Sequence, residues 1–145
     1  MTLYMETTKI SPETTVTQIQ KVLGNYGAAA IRTDYMNGEV IALSFLLNIN
    51  GQEIPFKLPC RWEAIFKALQ KERKFRAYMK EKEDKEKAKR VAWRQILRWV
   101  EAQLALVDTE MVSMQEVFSP YIKIKGEKTL YECLEEINFK MLEYK

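Results

Sequence analysis

The chain has 145 residues, carries 23 Lys and Arg against 20 Asp and Glu, and contains no histidine. Its length suits a single domain, residues 1–145, and a hydrophobic content of 47% excludes global disorder, because there is ample apolar surface to offset chain entropy. The missing histidine excludes imidazole general bases, Ser-His-Asp and Cys-His arrangements, and every zinc site that needs imidazole.

A first helix is expected to begin at Ser11-Pro12-Glu13. Ser11 caps free N–H groups, Pro12 suits the first helical position, and Glu13 complements the positive helix end. Val16, Ile19, Val22 and Leu23 recur at helical spacing, and Gly24-Asn25 with Gly27 ends the run. The period then falls to two. Ala29, Ile31, Thr33 and Tyr35 lead to Asn37-Gly38; Ile41, Leu43, Phe45, Leu47 and Ile49 lead to Asn50-Gly51; Ile54, Phe56 and Leu58 follow. Asn-Gly accepts the positive φ angles of a tight hairpin turn, so two such pairs between alternating runs predict a three-stranded antiparallel meander. Pro55 lacks a backbone donor and puts the third strand at an edge, or its position facing outward.

Residues 60–110 read as a helical region. Trp62, Ile65, Phe66 and Leu69 form one apolar face, and Trp93, Ile96, Leu97, Val100, Leu104 and Val107 form another. The charged stretch between them is either one interrupted long helix or two helices joined by a solvated segment near residues 80–87. In residues 111–145, Ser113 caps a short helix with Glu116 at the capping-box position, Tyr121, Ile122 and Ile124 are extended, and Gly126 turns the chain. Residues 129–142 are expected to form a closing helix with Leu130, Leu134, Ile137 and Met141 inward. The whole is an α+β chain: an N-terminal helix and meander (residues 1–59), the long or interrupted helical region, and a C-terminal helix. The first helix and the Trp93 helix are the candidates to cover the sheet.

Residues 71–94 hold the clearest functional hint: eleven basic residues against five acidic, whereas the rest of the chain has twelve against fifteen. Lys71, Arg73, Lys74, Arg76, Lys89, Arg90 and Arg94 offer phosphate contacts, and Phe75 and Tyr78 offer faces for stacking on bases. The interspersed acids favour the plainer alternative, a solvated helix laced by pairs such as Glu81–Lys85. Trp99 falls off the Trp93 stripe and is a candidate anchor for a partner. No metal-ligand spacing, phosphate-binding glycine loop or cofactor motif is present, so the chain is not expected to be an enzyme; the weaker alternative is catalysis by carboxylates alone, drawn from residues such as Glu101, Asp108, Glu110, Glu116, Glu135 and Glu136. No targeting signal or membrane span is visible, which points to the cytoplasm.

Three parts of the chain together carry a resemblance: Thr8-Lys9-Ile10-Ser11-Pro12-Glu13-Thr14-Thr15-Val16 feeding a helix that ends near Tyr26-Gly27-Ala28; Ile54-Pro55-Phe56-Lys57-Leu58-Pro59; and Arg90-Val91-Ala92-Trp93-Arg94, then Val100 to Val107 and Glu116-Val117-Phe118-Ser119-Pro120-Tyr121-Ile122. In that order they resemble a group of small, uncharacterised phage- and prophage-encoded accessory proteins, over most of the chain. The resemblance brings no activity and no catalytic residues. It implies a phage origin, a place in the host cytoplasm and an accessory role. Together with the small size and the candidate anchors Trp99, Phe75 and Tyr78, this leads to the expectation of a non-enzymatic protein that binds and neutralises a host protein or nucleoprotein, with antiviral defence as the expected target. Sequestration of a small signalling nucleotide is a related reading. The alternative is DNA or RNA binding through residues 71–94 during phage replication, recombination or transcription. Oligomeric state stays open: the Trp93 stripe can bury against the sheet, and the charged helix can pair with a second copy in a dimer.

Overall fold

A computed structural model describes residues 3–72 and 81–142. The protein is α+β: an N-terminal helix, a three-stranded antiparallel meander, long helices, a small hairpin and a C-terminal helix. The elements are α1 (Pro12–Asn25), β1 (Ala30–Met36), β2 (Glu39–Ile49), β3 (Gln52–Pro59), α2 (Trp62–Glu72), α3 (Glu81–Asp108), α4 (Met114–Phe118), β4 (Lys123–Lys125), β5 (Lys128–Thr129) and α5 (Leu130–Glu136). Single-turn 3₁₀ segments lie at Ser119–Tyr121 and Lys140–Leu142. The chain divides into two compact units, one of Met1–Val22 with Cys60–Ala102 and the other of Leu23–Pro59 with Gln103–Lys145.

In the first unit, Ser11 Oγ accepts from Thr14 N–H at 3.2 Å and starts α1 as the sequence predicts. Val16 and Ile19 of α1 are buried, as are Leu69 of α2 and Ala88, Val91, Trp93, Leu97 and Val100 of α3. Trp93 is thus a core residue. Of the two alternatives for the charged stretch, a solvated joint near residues 80–87 is not seen from Glu81 onward: the chain there is helical, with Glu81, Glu83 and Asp84 in the first turn of α3 and Lys85 paired with Glu81 at 3.5 Å, as the reading of a charge-laced helix expects. Acidic residues at a helix N-terminus oppose its positive dipole end, so this charged run starts a helix.

In the second unit the sheet order is β1-β2-β3. Met36 pairs with Glu39 and Ile49 with Gln52, leaving two-residue loops in which Asn37, Gly38, Asn50 and Gly51 all have φ between 52° and 85°. The meander therefore turns where the Asn-Gly pairs require it. Pro55 lies in β3, an outer strand of this sheet. Between β1 and β2 the register shifts after Asp34, so that Asp34 faces Ala42 and Tyr35 faces Val40. Ile41 is the extra residue, and strict alternation breaks there. Val40, Ala42 and Ser44 are buried alongside Leu43, Phe45 and Leu47, so this part of β2 is covered on both faces.

Phe45 and Phe56 are cross-strand partners with stacked rings 5.1 Å apart, and Phe118 meets Phe45 edge-on at 5.4 Å. Within this unit the aromatic lid on the sheet is thus Phe118 of α4, which the reading from sequence had not considered as a cover. Ser113 Oγ caps α4 by accepting from Glu116 N–H. Thr129 and Glu132 form a complete capping box on α5. The closing helix is shorter than expected. It ends at Glu136, Asn138 and Phe139 both take positive φ, and Ile137 and Met141 are 42% and 70% exposed rather than inward.

Candidate functional site

Among the described residues, the basic residues singled out from the sequence do not form one surface. Arg73, Lys74, Phe75, Arg76 and Tyr78 lie outside the described residues. Lys71 is exposed in the last turn of α2. Lys89 places its ammonium over the Trp62 ring, 4.7 Å from the centroid, and Lys85 sits 5.7 Å from the Phe66 centroid. These two lysines of α3 thereby cover aromatic rings of α2. Trp99 is half-buried on α3.

Arg90 and Arg94 lie on another side of α3. With Lys87 and Arg98 they follow an i, i+3, i+7, i+11 spacing, which gathers four cations on one narrow face over roughly 16 Å of helix axis. Lys87 and Arg98 were not among the candidates, although this helical spacing is visible in the sequence. Facing this stripe is the N-terminal segment of residues 3–10, which shows no periodic signal at all. Met5 takes φ 64° in its turn, Gln95 Nε2 donates to the Tyr4 carbonyl at 2.8 Å, and Lys87 pairs with Glu6 at 3.8 Å. These ties hold the segment along α3.

Two cavities adjoin between the segment and the helices, sharing Glu6, Thr7 and Thr8 as walls. One, of about 650 Å³, adds Lys9, Leu69, Glu72, Lys87 and Arg90. The other, of about 490 Å³, adds Leu3, Tyr4, Met5 and Ile10 with Arg94 and Arg98. The first is polar and cationic, the second mostly apolar with two arginines at its wall.

Arg94 is only 6% exposed. Its Nη1 donates to Thr15 Oγ1 at 3.3 Å and to the Gln18 side-chain oxygen, both neutral, while its Nε has no hydrogen-bond partner. Arg90 Nε is buried and likewise unpartnered. A guanidinium taken out of water and met only by neutral groups is destabilising unless an anion approaches it. Arg98 pairs with Glu101 at 2.6 Å.

Neither cysteine is bridged. Burial pushes the Cys60 thiol up to about 12, with Glu63 adding to the shift against smaller opposing effects from the Trp62 backbone and Lys89. A thiol held this firmly protonated is no nucleophile. Among the described residues no group of three His, Cys, Asp or Glu is placed to hold a metal ion, and no helix is long and apolar enough to cross a membrane.

The second unit holds two features missed from the sequence. Glu127 sits among Arg32, Lys123 and Lys57 at 3.1, 3.3 and 3.8 Å, and Arg32 also pairs with Asp34 at 2.9 Å. The hydrogen bond from Arg32 outweighs an opposing effect of desolvation and, with a smaller one from Lys123, holds the Glu127 carboxyl below the usual glutamate range. At the C-terminal end, Tyr131, Ile137, Phe139, Met141 and Leu142 are 39–70% exposed, with the Tyr131 and Phe139 rings 6.1 Å apart. Consecutive φ values of 54° at Asn138 and 58° at Phe139 present this apolar surface. A bulky residue with positive φ is a costly conformation that folded proteins tend to keep at functional places.

Compared with known proteins, the chain matches no family model, no curated protein and no solved structure.

Proposed function

We propose that this protein is a non-enzymatic phage accessory protein that binds and neutralises a host macromolecule in the host cytoplasm, with a protein or nucleoprotein of antiviral defence as the target. The observation that carries the binding role is the exposed apolar surface of Tyr131, Ile137, Phe139, Met141 and Leu142. Large apolar and aromatic side chains grouped at a surface bury well against a protein partner and dominate the energetics of such contacts. The strained backbone at Asn138 and Phe139 supports the same reading, because it holds an apolar ring at the surface at a conformational cost. The basic stripe of α3 gives less support to duplex binding, since Arg94 is buried and Lys89 is engaged with Trp62.

The test is affinity capture of the tagged protein from host lysate, with and without nuclease, beside a Phe139→Ser/Met141→Ser variant. A stoichiometric host protein that survives nuclease and is lost with the variant is the expected result. Recovery of DNA or RNA alone, lost on nuclease or moderate salt, overturns the reading in favour of nucleic-acid binding through residues 71–94.

A further inference from the structure

We propose that the polar cavity between residues 3–10 and α3 binds a phosphorylated small molecule, a nucleoside phosphate by its chemistry. Around its walls and those of the adjoining apolar cavity stand five cations, Lys9, Lys87, Arg90, Arg94 and Arg98, against two carboxylates, Glu6 and Glu72. Lys87 and Arg98 already have carboxylate partners in Glu6 and Glu101. Arg90, on the wall of the polar cavity, makes no ion pair among the described residues, and the partners Arg94 does have are neutral. A phosphate oxygen supplies what such guanidinium groups lack: a negative acceptor that can take two parallel N–H bonds. Thr7 and Thr8 add hydroxyls to the same wall, and a hydroxyl can donate to a phosphate oxygen.

Size and composition narrow the ligand. A cavity of about 650 Å³ lies in the range of small-molecule sites. The adjoining cavity contributes Leu3, Tyr4, Met5 and Ile10, an apolar and aromatic wall suited to a base rather than to a second phosphate. The carboxylates of Glu6 and Glu72 disfavour a long polyanion. The site is independent of the apolar surface at Phe139, so the two proposals stand or fall separately.

Titration calorimetry of the full chain with ADP, GDP and UDP, and with adenosine as the unphosphorylated control, tests the site. The expected result is saturable binding of at least one diphosphate, none of adenosine, and a loss of roughly tenfold or more in affinity for Arg90→Gln and for Lys9→Gln. Lys9 is exposed, so its variant keeps the fold, and a thermal melt of each variant verifies this. No binding of any diphosphate, binding that survives both substitutions, or binding of a short oligonucleotide without any diphosphate overturns the proposal. A silent titration leaves the host-capture reading untouched, because that reading is decided by the Phe139→Ser/Met141→Ser pull-down.

Discussion

The two units bury different chemistry: one hides an aromatic cluster, the other buries charge. In the second unit the buried centre is an aromatic cluster: Phe45 stacked on Phe56 across two strands, with Phe118 edge-on, each at most 2% exposed. Its charges, Arg32, Asp34, Lys57, Lys123 and Glu127, pair with one another at the surface. In the first unit charge goes inside. Arg94 is buried within reach of Thr15, itself 0% exposed, and Asp84 is 5% exposed. Apolar burial needs no further justification, because it lowers the free energy of folding by itself. A buried guanidinium among neutral partners does not stabilise the fold by itself.

The largest effect that separates the two comes from truncating the aromatic lid. Phe118→Ala removes a 0% exposed ring that meets both Phe45 and Phe56, and is expected to cost about 3–5 kcal/mol, read as a steep fall in Tm or in the urea midpoint. Arg94→Met is the matching change in the first unit. The methionine fills much of the same space and relieves the cost of a buried charge, while Thr15 and Gln18 each lose one neutral hydrogen bond. These terms oppose each other, so stability is expected to stay within about 1 kcal/mol of the parent. Diphosphate binding is expected to weaken in the same variant, because Arg94 lines the adjoining cavity that would take the base. A fall in stability as deep as that of Phe118→Ala makes Arg94 a structural tie, and the contrast between the units then collapses.

How much of this was legible in the sequence depends on whether a feature is local. The meander was, because Asn37-Gly38 and Asn50-Gly51 state their own turn geometry. The start of α1 was, because Ser11 and Pro12 carry its cap. The burial of Val40, Ala42 and Ser44 was not, because alternation reports one covered face and β2 is covered on two. The early end of α5 was hidden for another reason. No glycine or proline marks it, and Asn138 is the only nearby residue type that readily takes the left-handed conformation. For the site, Arg90 and Arg94 stood out by charge, yet counting charge over a window carries no direction. Placing the same residues on a helix separates Lys89 from Lys87, Arg90, Arg94 and Arg98. Residues 3–10 could not be read as a cavity wall, since their position depends on Gln95 and Lys87, more than eighty residues away in the chain.

A smaller effect tests the turns on which the meander depends, with a control in α1. Gly51 has φ 85° and nothing within 4 Å of where a Cβ would stand, so Gly51→Ala introduces backbone strain without a clash. The expected loss is about 1 kcal/mol. Gly24, inside α1 and equally open, carries no positive φ. Gly24→Ala is expected to gain about 0.5–1 kcal/mol by restricting the unfolded chain and favouring the helix. Chemical denaturation of the two variants side by side reads the opposite signs directly. If both destabilise equally, the loss at Gly51 does not arise from its turn conformation.

The smallest effect belongs to the surface charges of the second unit. Glu127 has its carboxyl held below the ordinary range by Arg32 and Lys123, so its folded pKa lies beneath its unfolded one. Such a group stabilises the fold at pH values above the unfolded pKa, and that contribution fades as the pH falls through the folded value. The Tm difference between the parent and Glu127→Gln is therefore expected to be small and constant near neutrality, and to close on acidification below about pH 4. The pair partners are solvent-facing, with side-chain exposures of 55% for Arg32 and 56% for Glu127, so added salt is expected to shrink the difference at neutral pH as well. A difference that persists unchanged at pH 3 and in high salt assigns the effect to packing of the Glu127 stem rather than to its charge. The contrast between Glu127, paired at the surface of the second unit, and the two buried guanidinium Nε groups that lack a partner in the first rests on that distinction.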